Sequence, residues 1–290
     1  MTDRASTNAN TDTLLMEGSS GMEKNIRPVR KWRVKCFELA DRWLDRLIRF
    51  MRATHECFWL GCLSADDLNA VTEAHFGESQ SYASREHNLS GFFSWETSAL
   101  HHYFRPGSRI LLAAAGGGRE VIALRKAGFD AEGFECNLPL VRASQTIFDQ
   151  VGEPRYVTLC DPDSVPPGPP AYDGLIVGWT AYTHILTKLR RIAFLQALRQ
   201  RALQHSPLLV SFFARSSSRD EAIVYRMARL CRFFLRGRRE PLELGDRLSY
   251  ARYVHAFASD ELQAELNIPG FQVVHCSIEG NSGQAVGVAE

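Results

Sequence analysis

No stretch of the 290-residue sequence comes near the roughly 18 consecutive apolar residues that a membrane-spanning helix requires. Nor is there a C-x-x-C pair. The seven cysteines, at 36, 57, 62, 136, 160, 231 and 276, are scattered and odd in number, which argues against a disulfide framework or a zinc site and suits a reducing, cytoplasmic setting. Residues 1–23 lack an apolar run and are rich in Ser, Thr, Asn, Asp and Gly, so they read as a disordered tail and not as a signal peptide. An overall excess of either charge is also missing. Lys and Arg total 34 against 33 Asp and Glu, a net +1 that makes a poor electrostatic footprint for nucleic acid. The adjacent His101 and His102 point apart on a helix and make a poor metal site.

The charge that is present is segregated. Residues 24–52 hold ten Lys or Arg against three acids, and Arg226–Arg239 holds six Arg and no acid, so the remainder is net acidic. From Pro28 to Arg52 the apolar positions Cys36, Ala40, Trp43, Leu44, Leu47, Ile48 and Met51 fall three and four apart, the period of an amphipathic helix expected to pack on the domain. A second helix is expected over 64–76, with Ser64 as its cap and Asp66 and Asp67 in the first turn.

Beyond residue 105 helical and strand patterns alternate. A first strand opens "SRILLAAAGGGREVIAL", the further strands are "DAEGFEC", "RYVTLC", "YDGLIVGW" and "PLLVSFF", and the helices fall near 119–127, 138–150, 187–204 and 218–236, with a stiff proline-rich loop at 162–170. Such alternation predicts a parallel sheet with right-handed crossovers. After a further helix from Ser259, "FQVVHCSI" and "QAVGVAE" are separated only by "EGNSG", too short for a parallel crossover, so they should close the sheet as an antiparallel hairpin. The predicted fold is α/β, a Rossmann-like seven-stranded, mostly parallel sheet with a C-terminal antiparallel hairpin and an N-terminal helical extension. Its parts would be the tail 1–23, a helical extension and lid 24–104, and the sheet domain 105–290.

The first strand runs through three alanines into Gly116, Gly117 and Gly118, and a helix starts at once with Arg119 and Glu120. A tight turn of this kind sets helix amides against a ligand over the strand's carboxyl end. The dinucleotide fingerprint G-x-G-x-x-G lacks its third glycine here, because Val121 stands in that place. By contrast, "ILLAAAGGGREVIALRKAGFDAEGFECN" resembles the first two motifs of class I S-adenosylmethionine-dependent methyltransferases. "YVTLCDPDSVP" resembles their acidic motif after the third strand, "AYDGLIVGW" their fourth-strand motif, and "VHAFASDELQAELNIPGFQVVHCS" the helix and returning strand that close the fold. The resemblance covers roughly residues 80–290.

The resemblance implies S-adenosylmethionine as cofactor, held by Ala114, Gly116 and Gly118 of the turn. It implies Glu135, 17 residues beyond Gly118, for the ribose hydroxyls with Cys136 beside it. Asp161 falls to the adenine amino group and Gly178 to the fourth strand's end. Leu112 and Ala114 stand where the family usually has an acid and a glycine. "SYASREHNLSGFFSWE" lies where many members place residues that close over the cofactor, so Tyr82 is a candidate for the methionine carboxylate. Phe92, Phe93 and Trp95 either wall the pocket or pack the N-terminal helices onto the sheet.

Methyl transfer from a sulfonium gains much from alignment and exclusion of water, and needs a base only where the acceptor must lose a proton. "GWTAYTHIL" after the fourth strand brings Tyr182 and His184 toward that edge as candidate catalytic groups, the histidine being a proton acceptor near neutrality or simply a capping residue. The expected activity is methylation of a small-molecule acceptor at O or N, with no nucleic-acid partner and no membrane span. The alternative is a methyltransferase fold kept as a non-catalytic binding or scaffold protein.

Overall fold

The computed structural model describes residues 32–215, 219–234 and 241–290. The expected tail 1–23 lies outside these residues, as do 24–31 of the first basic run and 235–239 of the second. The chain divides into two compact units, Met1–Ile48 and Arg49–Glu290. The described part of the first is helical, the beginning of α1 (Trp32–Cys62). That helix does not stop at Arg52 as its polar pattern suggested, because "FWLGC" extends it to Cys62. Its expected apolar stripe at Trp43, Leu44, Leu47 and Ile48 is exposed.

In the second unit, α2 (Ala65–Gly77) carries the anticipated cap. The Ser64 hydroxyl accepts from the Asp67 amide, and Asp67 accepts from the Ser64 amide. Two single-turn helices, α3 (Gln80–Ala83) and α4 (Arg85–Asn88), follow, then α5 (Ser94–Tyr103). β1 (Arg109–Ala113), α6 (Arg119–Lys126), β2 (Asp130–Glu135), α7 (Leu138–Val151), β3 (Val157–Leu159) and β4 (Gly174–Val177) begin the sheet. A 3-10 turn Ala181–His184, α8 (Lys188–Arg199), β5 (Pro207–Phe213) and α9 (Arg219–Phe234) come next. The short strands β6 (Asp246–Leu248) and β7 (Tyr253–His255), α10 (Ser259–Asn267), β8 (Phe271–Glu279) and β9 (Ser282–Ala289) complete the chain.

The main sheet has the order β3-β2-β1-β4-β5-β9-β8. β1 to β5 pair in parallel, while β9 lies antiparallel to β5 and β8 antiparallel to β9. This is the architecture that the strand–helix alternation and the closing hairpin predicted. From Ile110 on, β1 is buried on both faces, as a central parallel strand with helices above and below must be. Leu111, Val177 and Leu208 join a core under α8 and α10 that includes Phe194, Leu195 and Leu262. Ile110, Leu112 and Ile176 join the opposite core, which includes Val121, Val141 and Phe148 of α6 and α7. The sheet order reverses between β1 and β4, so their carboxyl ends open a crevice at the topological switch point, where ligands bind in such sheets.

Candidate active site

A cavity opens at that crevice, over the carboxyl ends of β3, β2, β1 and β4. Its floor is the turn after β1. Ala114 and Gly116 adopt φ 54° and Gly118 φ 96°, so three of five turn residues are left-handed. For Ala114 this conformation costs about 1 kcal/mol, a strain held by the paired strands around it. Ala114, Gly116 and Gly117 line the cavity.

Glu135, last residue of β2, is 6% exposed and lines the same cavity. Its Oε2 accepts from the Gly116 amide at 2.8 Å and its Oε1 from the Asn137 amide at 2.8 Å. The carboxylate thus ties the glycine turn to the N-terminus of α7, and its remaining lone pairs can accept further donors. Asn137 is positioned in turn by capping α7, where its Oδ1 accepts from Leu140, and by donating to the Glu73 carbonyl. Cys136 and Asp161 also line the cavity.

The roof is built from α2, α3 and α4. Tyr82 lines the cavity with its ring 5.3 Å from that of Phe76 and 5.5 Å from that of His87. Opposite, from the 3-10 turn after β4, His184 packs edge-on against Phe76 at 5.1 Å. Its Nδ1 lies 2.7 Å from the Tyr253 carbonyl, which can only accept, so Nδ1 carries the proton and Nε2 keeps its lone pair. Burial pushes the His184 pKa down to about 4, so the ring is neutral at neutral pH.

Seven of the residues singled out in the sequence therefore meet around one cavity: Tyr82, Ala114, Gly116, Glu135, Cys136, Asp161 and His184. Three are placed otherwise. Tyr182 is fully buried, stacked on Phe257 at 5.4 Å, and donates its hydroxyl to Glu265 Oε2 at 2.8 Å. It is a core residue, because a 3-10 turn sends its neighbours to different sides. Gly118 caps α6, and an added methyl would face Phe148 of α7 at 3.3 Å and not the cavity. Gly178 is small because the chain leaving β1 runs beside it, and a methyl would fall 2.3 Å from the Ala114 carbonyl oxygen. Phe92 and Trp95 pack against the α6 and α7 core.

Asn88, which no sequence motif singled out, sits with its amide 2.5 Å from where a Gly117 side chain would begin. Nor did the sequence show the buried ion cluster of Glu96, Arg119 and Glu120 beside the turn. Strand-period and glycine signals do not reach such residues; the polar character of "SREHNLSG" marked Asn88 alone. A second network joins Arg191, Glu243, Asp246, His255, Glu261 and Glu265. Glu243, Asp246 and His255 present ligand-type atoms within 4.8 Å of one another. Arg191 donates to Glu243 Oε2 at 2.7 Å, and His255 Nδ1 lies 2.7 Å from Asp246 Oδ1, so the group is already a hydrogen-bonded ion network.

No protein-family model matches the sequence, and no curated protein matches it. Solved structures match in fold. The 1,6-didemethyltoxoflavin-N1-methyltransferase of Burkholderia thailandensis, with 1,6-didemethyltoxoflavin and S-adenosylhomocysteine bound, aligns with a TM-score of 0.56 at 16% identity, over 78% of this chain and 91% of that one. A SAM-dependent methyltransferase of Methanosarcina mazei aligns with a TM-score of 0.55 at 13% identity, over 69% and 98%. A TehB-like SAM-dependent methyltransferase of Corynebacterium glutamicum aligns at 0.51 and 15% identity, over 75% and 99%. The fold is that of the class I S-adenosylmethionine-dependent methyltransferases, as the motif order implied.

Proposed function

We propose that the protein is an S-adenosylmethionine-dependent methyltransferase acting on a small molecule at O or N. The observation that carries this reading is Glu135: a buried carboxylate at the end of β2, oriented by the Gly116 and Asn137 amides and facing the cavity. A carboxylate so held, with acceptor capacity left, suits the two hydroxyls of a ribose. The lining as a whole fits a cationic cofactor, since it holds five carboxylates (Glu73, Glu120, Glu135, Asp161 and Asp163) against the single guanidinium of Arg119. Asp161, beyond β3, suits the adenine amino group, and Tyr82 the methionine end. When bound, S-adenosylmethionine supplies a methyl group made electrophilic by its sulfonium.

The chain's own part is alignment, exclusion of water and handling of one proton. Phe76, Tyr82 and Trp179 give the cavity aromatic walls. His184, neutral and with Nδ1–H fixed on the Tyr253 carbonyl, offers Nε2 as a hydrogen-bond acceptor to a hydroxyl or amine. At about 4 it is a weak base, better suited to orienting an acceptor that sheds its proton late than to deprotonating one beforehand. The acid surplus disfavours phosphate- or carboxylate-bearing acceptors and nucleic acid, and favours neutral or cationic ones. Among the described residues no helix is long and apolar enough to cross a membrane. The test is release of S-adenosylhomocysteine against pools of small amines and phenols. Cofactor binding without product from any pool would favour the non-catalytic alternative.

A further inference from the structure

Beside the glycine turn lies a buried cluster whose charges do not cancel. Arg119, the first residue of α6, is 3% exposed, Glu96 4% and Glu120 8%. Arg119 Nη2 donates to Glu96 Oε1 at 2.6 Å and to Glu120 Oε1 at 2.7 Å. Its Nη1 donates to Glu96 Oε2 at 2.9 Å and to the Gly91 carbonyl at 2.7 Å. Two carboxylates thus share one guanidinium, leaving one negative charge in surplus. Burial, with Glu120 adding to it, pushes the Glu96 pKa upward against the pull of Arg119.

The two acids differ in what remains open. Glu96 is committed on both oxygens, to Arg119 and to the Phe93 amide at 2.7 Å. Glu120 Oε2 accepts no hydrogen bond from the described residues, and Glu120 lines the cavity. That oxygen is open to the cavity, where a ligand that brings an N–H can donate to it.

Asn88 adds an independent second acceptor. It is 1% exposed and lines the same cavity. Its Nδ2 donates to the Tyr82 and Ser84 carbonyls, each at 2.8 Å. Both amide hydrogens are then committed, so Oδ1 is fixed as an acceptor without a partner among the described residues, set against Gly117. β1 itself supplies no acid, since Arg109–Ala113 reads RILLA. The cavity wall at the turn therefore presents two acceptors open to a ligand and a surplus negative charge. That combination calls for a cation with several N–H donors, which an ammonium is and a sulfonium is not.

We propose that Glu120 and Asn88 seat the α-ammonium of the cofactor's methionyl moiety, Glu120 as its counter-charge and Asn88 as a neutral acceptor that positions it. This assignment rests on the S-adenosylmethionine reading above. The test compares S-adenosylhomocysteine with its deaminated analogue by calorimetry, in the parent protein and in Glu120→Gln. The parent should prefer the amino form by about tenfold or more, as a charge-assisted hydrogen bond implies. Glu120→Gln should lose that preference by weakening the amino form alone.

Equal binding of the two ligands by the parent would overturn the proposal while leaving the cofactor reading intact. A preference that survives in Glu120→Gln would also overturn it. No binding of either ligand would remove the cofactor reading and the proposal together. If thermal unfolding shows that Glu120→Gln is not folded, Glu120→Asp carries the same comparison, because it keeps the charge and withdraws it by one methylene. An undiminished preference there would contradict the assignment.

Discussion

A methyl group added at each glycine of the turn would meet a different neighbour. At Gly116 nothing lies within 4 Å, but φ is 54°. At Gly117 the Asn88 amide stands 2.5 Å away, and at Gly118 Phe148 is at 3.3 Å with φ at 96°. Gly118→Ala should therefore lower stability, by about 1–2 kcal/mol from the left-handed backbone alone, and leave cofactor affinity nearly unchanged. Gly116→Ala carries a similar strain, yet its methyl is added where the turn borders the cavity, so calorimetry should show lost affinity beyond the loss of stability. Gly117→Ala must displace Asn88 and should lower both. Parent-like affinity in both Gly116→Ala and Gly118→Ala would show that the turn acts only as a connector. His184 gives a pH prediction. A rate that depends on its neutral form should hold through pH 6 and fall as pH drops through about 4. An acid limb near 6.5, the ordinary histidine value, would show that the ring is not buried as described. The position of Glu135 beside the turn was legible in the sequence because its distance from the turn is fixed by a helix and a strand of ordinary length. Tyr182 was misread, since two residues of spacing on a 3-10 turn do not share a face.

The elements that sequence periodicity found best are those with several turns or a continuous apolar run, such as β1, α7 and α8. The least legible were three residues long. β6 and β7 form a separate two-stranded pair, Asp246 opposite His255, and no alternation over three residues distinguishes a strand from a loop. Yet this pair anchors the buried ion network behind the site: Tyr253 donates to Asp246 Oδ1 at 2.6 Å, and its carbonyl fixes the tautomer of His184. Burial pulls the His255 pKa down, but the hydrogen bonds to Asp246 and Glu261 more than offset it, so the folded value is raised. A raised folded pKa means that the protonated ring stabilises the protein fully below the unfolded value of about 6.5 and loses this contribution as pH rises through the folded value. His255→Gln should then lower the unfolding midpoint more at about pH 6 than at about pH 9. A deficit that grows with pH would contradict a charged His255. The same variant should also loosen His184 through Tyr253, which a pH–rate profile would register as a displaced acid limb.

Across the whole sequence, charge is segregated. The basic runs at 24–52 and 226–239 leave the remaining sequence acidic, and part of that acid lies around the cavity at the switch point between β1 and β4. The fold was legible because alternation, crossover handedness and the closing "EGNSG" hairpin together admit few sheet orders. The exposure of Trp43, Leu44, Leu47 and Ile48 was not legible, because an apolar stripe states what ought to be covered without naming what covers it. The acceptor was not legible either, since the cavity's walls come from α2, α3, α4 and the turn after β4, segments too short to carry a period. The central claim is that the cavity binds S-adenosylmethionine through Glu135. Titration calorimetry of S-adenosylmethionine into the parent protein and Glu135→Gln tests it most directly. The account predicts saturable binding by the parent and a loss of roughly 1.5–3 kcal/mol in the variant, whose amide replaces an ionic acceptor and turns an N–H toward the Gly116 or Asn137 amide. Absence of binding by the parent, or equal affinity in a folded Glu135→Gln, would contradict it.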